Sequence, residues 1–171
     1  MKKIAFFILF LSFYKVEAQE QTYLSEVIQK WENAQKYTLQ VASLMPDSNY
    51  TFSPVPDEMS FAHQMSHMGE NMIWLSSSYL NKEKPAFKKI EYKNVTKKEI
   101  DDNLKIAFEY AHASLLSLKP ENLEEKVNFF AGKMSKRQII NLMNDHLTHH
   151  RAQCLVYLRL KGIKPPEYIG W

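Results

Sequence analysis

"SKRQIINLMNDHLTHHRAQCLVYLRLKG", residues 135–162, opens on a Ser-x-x-Gln capping box and closes on glycine. The serine side chain can accept from the backbone N–H three residues on while the glutamine reaches back, which starts a helix; a glycine that tolerates positive φ stops one. Between these signals Ile139, Met143, Leu147, Cys154 and Tyr157 recur at helical spacing, so the stretch predicts one long amphipathic helix. Pro165 and Pro166 lie just beyond its stop. Three more segments carry the same signature. Thr96-Lys-Lys-Glu99 is a second capping box, followed by Ile100, Leu104, Ala107, Ala111 and Leu115 before Pro120. Ser60 is a good N-cap for the series Phe61, Met65, Met68, Met72, Leu75 and Tyr79. Leu24, Val27, Trp31, Ala34, Thr38, Val41 and Met45 form the first series, ending at Pro46. With no internal repeat, Gly-rich phosphate loop or alternating strand series, the chain predicts an all-α, antiparallel four-helix bundle. Residues 125–130 fit either a short strand or an extended loop. Proline-containing connections are too long for tight hairpins throughout, so at least one is expected to cross the bundle.

The first 18 residues read as a secretory signal. Lys2 and Lys3 form a basic start, Ile4 to Tyr14 an apolar run, and Val16-Glu17-Ala18 a cleavage point before Gln19, although Lys15 interrupts the pattern. The run is too short for a membrane span of about 20 residues, and an uncleaved N-terminal anchor is the alternative. The domain is then expected over residues 19–171, exported to the periplasm or secreted. Loss of Lys2, Lys3, Lys15 and Glu17 lowers the formal net charge from +3 by two, to +1. That removes the electrostatic basis for nucleic-acid binding. Cys154 is the single cysteine, so no intrachain disulfide can form.

Three of the six histidines fall within five positions of the last helix. At about 100° per residue, His146 and His150 sit in the middle of the apolar stripe one turn apart, His149 at its edge, and Arg151 roughly away from it. Two imidazoles at i and i+4 on one face can grip one metal ion. Satisfied core histidines would give the same pattern. The zinc-protease helix motif is excluded, because Leu147 stands where its glutamate belongs. On the second helix His63 lies nearly opposite the apolar stripe and is expected in solvent. His67 lies beside the stripe, in a flank with Ser60, Gln64, Asn71 and Ser78 that fits either a cleft or a polar boundary. Gly69 nearby permits close approach of another backbone. His112 reads as a surface or boundary residue. Cys154 continues the row of His146 and His150 and reads as core more readily than as a soft fourth ligand.

These residues resemble a known family. "DHLTHHRAQCLVYLRLKGIKPP" is similar to the last-helix signature of the DinB-like, or YfiT-like, metal-binding four-helix bundles, and "YTFSPVPDEMSFAHQMSHMGENMIW" resembles the segment bearing their other metal histidine. "ASLMPDSNYTF" fits the end of the first helix, so the likeness spans nearly all of residues 19–171. Ala152 replaces a commoner glycine, and Cys154 a usual aliphatic residue. By position, the resemblance implies metal ligands at His67, His146 and His150. It further implies an up-down-down-up bundle with a long crossover at residues 82–95, and often a homodimer.

Three neutral imidazoles leave a divalent cation with open positions. Zinc or nickel suits such ligands, with iron or manganese as further candidates. The resemblance implies thiol-dependent transferases and isomerases that use low-molecular-weight thiols, and the first reading is a metal-dependent transferase or hydrolase acting on a small molecule. Gln64, Asn71 and Tyr157 are the candidate substrate-binding residues. Export argues against an intracellular thiol and leaves a second class open, a non-catalytic metal- or ligand-binding bundle of the cell envelope. Saturation by a fourth ligand such as Cys154 would favour binding. An open position facing a pocket would favour chemistry.

Overall fold

The computed structural model describes residues 2–81, 83–90 and 96–171, with side chains from Thr22 onward. The side chains of the expected leader, and residues 82 and 91–95 of the expected crossover, lie outside the described residues. Four helices carry the fold: α1 (Lys2–Leu44), α2 (Phe61–Leu75), α3 (Lys97–Leu116) and α4 (Lys136–Leu160). A hairpin of β1 (Lys126–Phe129) and β2 (Gly132–Ser135) precedes α4. The expected all-α chain is thus mostly helical with one small two-stranded sheet. Among the described residues, no helix is long and apolar enough to cross a membrane.

The helix starts follow from local chemistry. The Ser60 side chain accepts from the His63 N–H, Thr96 from Glu99 and Ser135 from Gln138, the last two as full capping boxes. Two further N–H groups of the first turn of α2 donate to the preceding loop, Phe61 to the Phe52 carbonyl at 2.9 Å and Ala62 to that of Tyr50 at 2.8 Å. Four free N–H groups open every helix, and here Ser60 and the loop take up three of them, fixing where α2 begins and hence where His67 stands. Gly162, at φ +71°, ends α4; its N–H donates to the Arg159 carbonyl and the Ile163 N–H to that of Leu158, both at 2.9 Å.

The apolar stripes meet in one core. Trp31, Met45, Phe61, Met65, Met68, Phe108, Met143 and Tyr157 are among its buried members. The Trp31 Nε1–H donates to the Phe108 carbonyl at 3.3 Å, and the two rings pack at 5.6 Å. Burying such side chains contributes about 25 cal/mol per Å² of apolar surface removed from water. Both α1 and α2 pack against α3 and α4. One open sequence alternative resolves to a strand, and two expectations need amendment. Residues 125–130 supply a strand whose partner, Gly132–Ser135, alternates too weakly to be read from sequence. The helical series expected to reach Tyr79 continues past Leu75 as a π-helical turn, Ser76–Leu80. Gly69 faces side chains rather than a closely approaching backbone: the nearest atoms to a Cβ there would be those of Ala107, Phe87 and Leu104, at 3.7–3.9 Å.

Candidate metal centre

His67 on α2 meets His146 and His150 on α4. The possible ligand atoms of the three rings lie within 4.8 Å of one another. His67 Nε2 and His146 Nε2 are 3.1 Å apart, and the ring centroids are separated by 4.3–4.8 Å. Two nitrogens about 2.05 Å from one ion at a tetrahedral angle would be about 3.3 Å apart, so this spacing fits shared coordination. Each helix supplies its part by simple periodicity: four residues bring His146 and His150 onto one face, and packing of α2 on α4 brings His67 opposite.

The second nitrogen of His150 is already committed. Its Nδ1 lies 2.6 Å from Gln64 Oε1. Gln64 Nε2 donates toward Glu58 Oε1 and the Tyr157 hydroxyl, both at 3.4 Å, and Tyr157 in turn donates to the Met59 carbonyl at 2.9 Å. A carboxylate only accepts, so Glu58 fixes the amide with its oxygen toward His150. His150 therefore carries its proton on Nδ1 and leaves the Nε2 lone pair facing inward. A hydrogen-bonded outer shell of this kind sets tautomer and ring orientation in metal sites.

Electrostatics favour the same state. Burial, with repulsion from His67 and His149, lowers His146 to about 4. Burial, then repulsion from His146 and the other neighbouring histidines, lowers His150 to about 3. Burial lowers His67 despite the opposing pull of Glu70. Three neutral imidazoles with convergent ring nitrogens are the donor set a divalent cation needs. The residues present fit the group.

A cleft of about 440 Å³ adjoins the cluster, with His67, Asn71, Trp74 and Phe87 in its wall. Glu70 and Lys89 form an ion pair at 3.6 Å in the same wall. Among the candidate substrate-binding residues, Asn71 lines this cleft, and its buried Oδ1 has no hydrogen-bond partner among the described residues. Gln64 and Tyr157 are each about 1% exposed and stand behind His150. His63, expected in solvent, is half-buried; it precedes His67 by one turn, so its ring lies 6.3 Å away. His112 is a boundary residue beside Glu32, at 3.3 Å. Cys154 is fully buried in the core, outside the histidine cluster, and burial pushes its thiol far above the usual range. Arg151 turns from the histidines into α1, where its guanidinium lies 4.9 Å from the Tyr37 ring centroid and donates to Thr38 Oγ1 at 3.3 Å. Sequence reading missed Glu58 and the acceptor role of Gln64 toward His150. The available signal was a glutamine three residues before His67 on the same polar flank.

Fold and site together define a helical protein with a clustered tri-histidine centre. The chain belongs to the DinB family, whose model matches residues 18–169. Among solved structures, it is similar to a DinB-like protein from Bacillus subtilis, with a TM-score of 0.67 and 19% identity over 85% of this chain and 99% of that one. It also resembles a DinB-like protein from Bacillus cereus, with a TM-score of 0.72 and 19% identity over 83% of this chain and 95% of that one. At such identity the likeness establishes fold alone. A search of curated proteins returned no match.

Proposed function

We propose that His67, His146 and His150 hold one divalent cation, zinc or nickel before iron or manganese, and that the centre serves a transferase or hydrolase acting on a small molecule. The observation carrying this reading is the convergence of three neutral imidazoles beside an open cleft. When bound, the cation would supply Lewis acidity, favouring the deprotonated form of a water or low-molecular-weight thiol. The chain's own contribution is positioning. Gln64 holds the proton on His150 Nδ1, Glu58 and Tyr157 orient Gln64, and Asn71 lends polarity to the cleft wall. Catalysis is preferred over a purely binding role because Cys154, the candidate fourth ligand, lies outside the cluster.

Metal analysis of the purified protein beside His146→Ala and His150→Ala tests the centre. About one ion per chain is expected in the parent protein and much less in either variant; equal content in all three would remove the site. A thiol-transfer and hydrolysis screen on metal-loaded protein then tests the activity, and inactivity throughout would favour the binding role.

An up-down-down-up order is proposed on paired contacts. Tyr23 bonds to Asn141 and Arg151 to Thr38, as parallel α1 and α4 require. Gln64 meets Tyr157 and Ser76 meets Met143, as antiparallel α2 and α4 require. Trp31–Phe108 and Lys97–Ala42 pair α1 and α3 in the same antiparallel sense. Export with cleavage near Ala18 is proposed from the leader's composition. Mass spectrometry of the mature chain reads the cleavage, and light scattering reads the homodimer the resemblance implies.

A further inference from the structure

Trp74 is 40% exposed yet braced on several sides. Its ring is 5.8 Å from Phe129, 6.1 Å from Tyr79 and 6.3 Å from Phe130, the last nearly parallel at 25°. The π-helical turn carries Tyr79 to this group, and the hairpin tip carries Phe129 and Phe130, the latter 82% exposed. An indole left in water gives up apolar burial, and here rings from two other elements hold it in the wall of the cleft that also contains His67.

The helix acts as a ruler. His67, Asn71 and Trp74 lie at i, i+4 and i+7 of α2, which is one face and about 10.5 Å along the axis from first to last. The inner end of this line meets the histidines, the middle is the polar Asn71 side chain, and the outer end is aromatic, with Phe87 in the same wall.

Resting on the proposed centre, we infer that the cleft selects small molecules with a flat apolar, preferably aromatic, end about 10 Å from a metal-seeking polar head. Trp74 is the specificity-determining residue. Such a ligand stacks its ring against Trp74 and Phe87, passes the Asn71 side chain midway, and places its head at the three nitrogens. A highly charged nucleotide does not suit this wall, in which Glu70 and Lys89 pair with each other.

The test uses the full protein, parent and Trp74→Ala, with Trp74→Phe as the conservative variant. 4-Phenylbutanehydroxamate and hexanehydroxamate are titrated calorimetrically into zinc-loaded protein, and 2-naphthol into metal-free protein. In the parent, the phenyl compound should bind about two- to tenfold tighter than the aliphatic one, the range of an aromatic pair beyond area burial. Trp74→Ala should abolish that preference and weaken 2-naphthol by a similar factor, and Trp74→Phe should restore much of both. Equal affinity for the two hydroxamates, a preference surviving in Trp74→Ala, or no 2-naphthol binding would overturn the inference. Loss of both hydroxamates with 2-naphthol binding intact and sensitive to Trp74→Ala would instead sink the cation centre and leave the aromatic subsite standing.

Discussion

His150 uses its two nitrogens differently, and the difference makes Gln64 testable. Nδ1 is tied to Gln64 Oε1 at 2.6 Å, which leaves Nε2 for a cation. Gln64→Leu keeps roughly the side-chain volume but removes the acceptor, so the ring loses its fixed tautomer. Metal affinity should fall about 10- to 100-fold, as for other outer-shell losses, measured by competition with a chromophoric chelator; an unchanged affinity would free Gln64 of this role. Cys154 makes the opposite case. It is wholly buried, and burial disfavours its thiolate, the form that reacts. A thiol reagent should therefore label the protein only after denaturant unfolds it, and rapid labelling of the native state would contradict this placement. The pair His146 and His150 was legible because a four-residue repeat on an apolar face needs no tertiary knowledge. His67 was not, since its flank fitted a plain polar boundary until the family resemblance singled it out. Glu58, nine residues before His67 and in a loop, gives no periodic signal at all.

At the scale of elements, legibility followed hydrogen-bond locality. Ser60, Thr96 and Ser135 cap the helices they were read to cap, because a cap is written within four consecutive residues. The hairpin was half visible. Lys126–Phe129 shows alternating exposure, but Gly132–Ser135 has only one buried member and pairs through its backbone. The π-helical turn likewise leaves no sequence mark, since widening a turn changes no residue pattern. Gly69 shows how a helix-interior glycine can mislead. Its surroundings leave room for a methyl group, with the nearest atoms at 3.7–3.9 Å. Glycine inside a helix costs about 0.5–1 kcal/mol relative to alanine, so Gly69→Ala should stabilise by about that amount. For a domain near this size the melting temperature should rise by about 1–4 °C, with metal content unchanged. A fall would mean that α2 needs the gap against Phe87 or Ala107.

For the whole molecule, the centre joins two helices that are far apart in sequence, so cation binding and folding are linked. An unfolded chain separates His67 from His146 by dozens of residues and holds no preformed site, so a cation that binds only the folded state stabilises it. At a free concentration of about 100 times Kd the gain is about 2.7 kcal/mol, or roughly 5–10 °C in melting temperature for a domain near this size. The sign with pH follows from the lowered pKa values. In the folded protein without cation, His146 titrates at about 4, His150 at about 3, and His67 below its usual value, whereas in the unfolded chain each would titrate near 6.5. Below about pH 6.5 the unfolded chain thus binds more protons. The stability these rings contribute is fully present above that pH and is lost as the medium is acidified through it toward about 4 and then 3. Protons compete with the cation for these lone pairs only where the folded rings themselves begin to titrate, toward about pH 4 and below. Melting temperature should therefore fall between about pH 7 and about pH 5, with zinc raising the curve across that window, and His146→Ala/His150→Ala should flatten the pH dependence and remove the zinc-induced rise. A zinc-induced rise that survives in the double variant would move the cation away from these rings, and a pH slope unaltered by the substitutions would assign acid sensitivity to other groups.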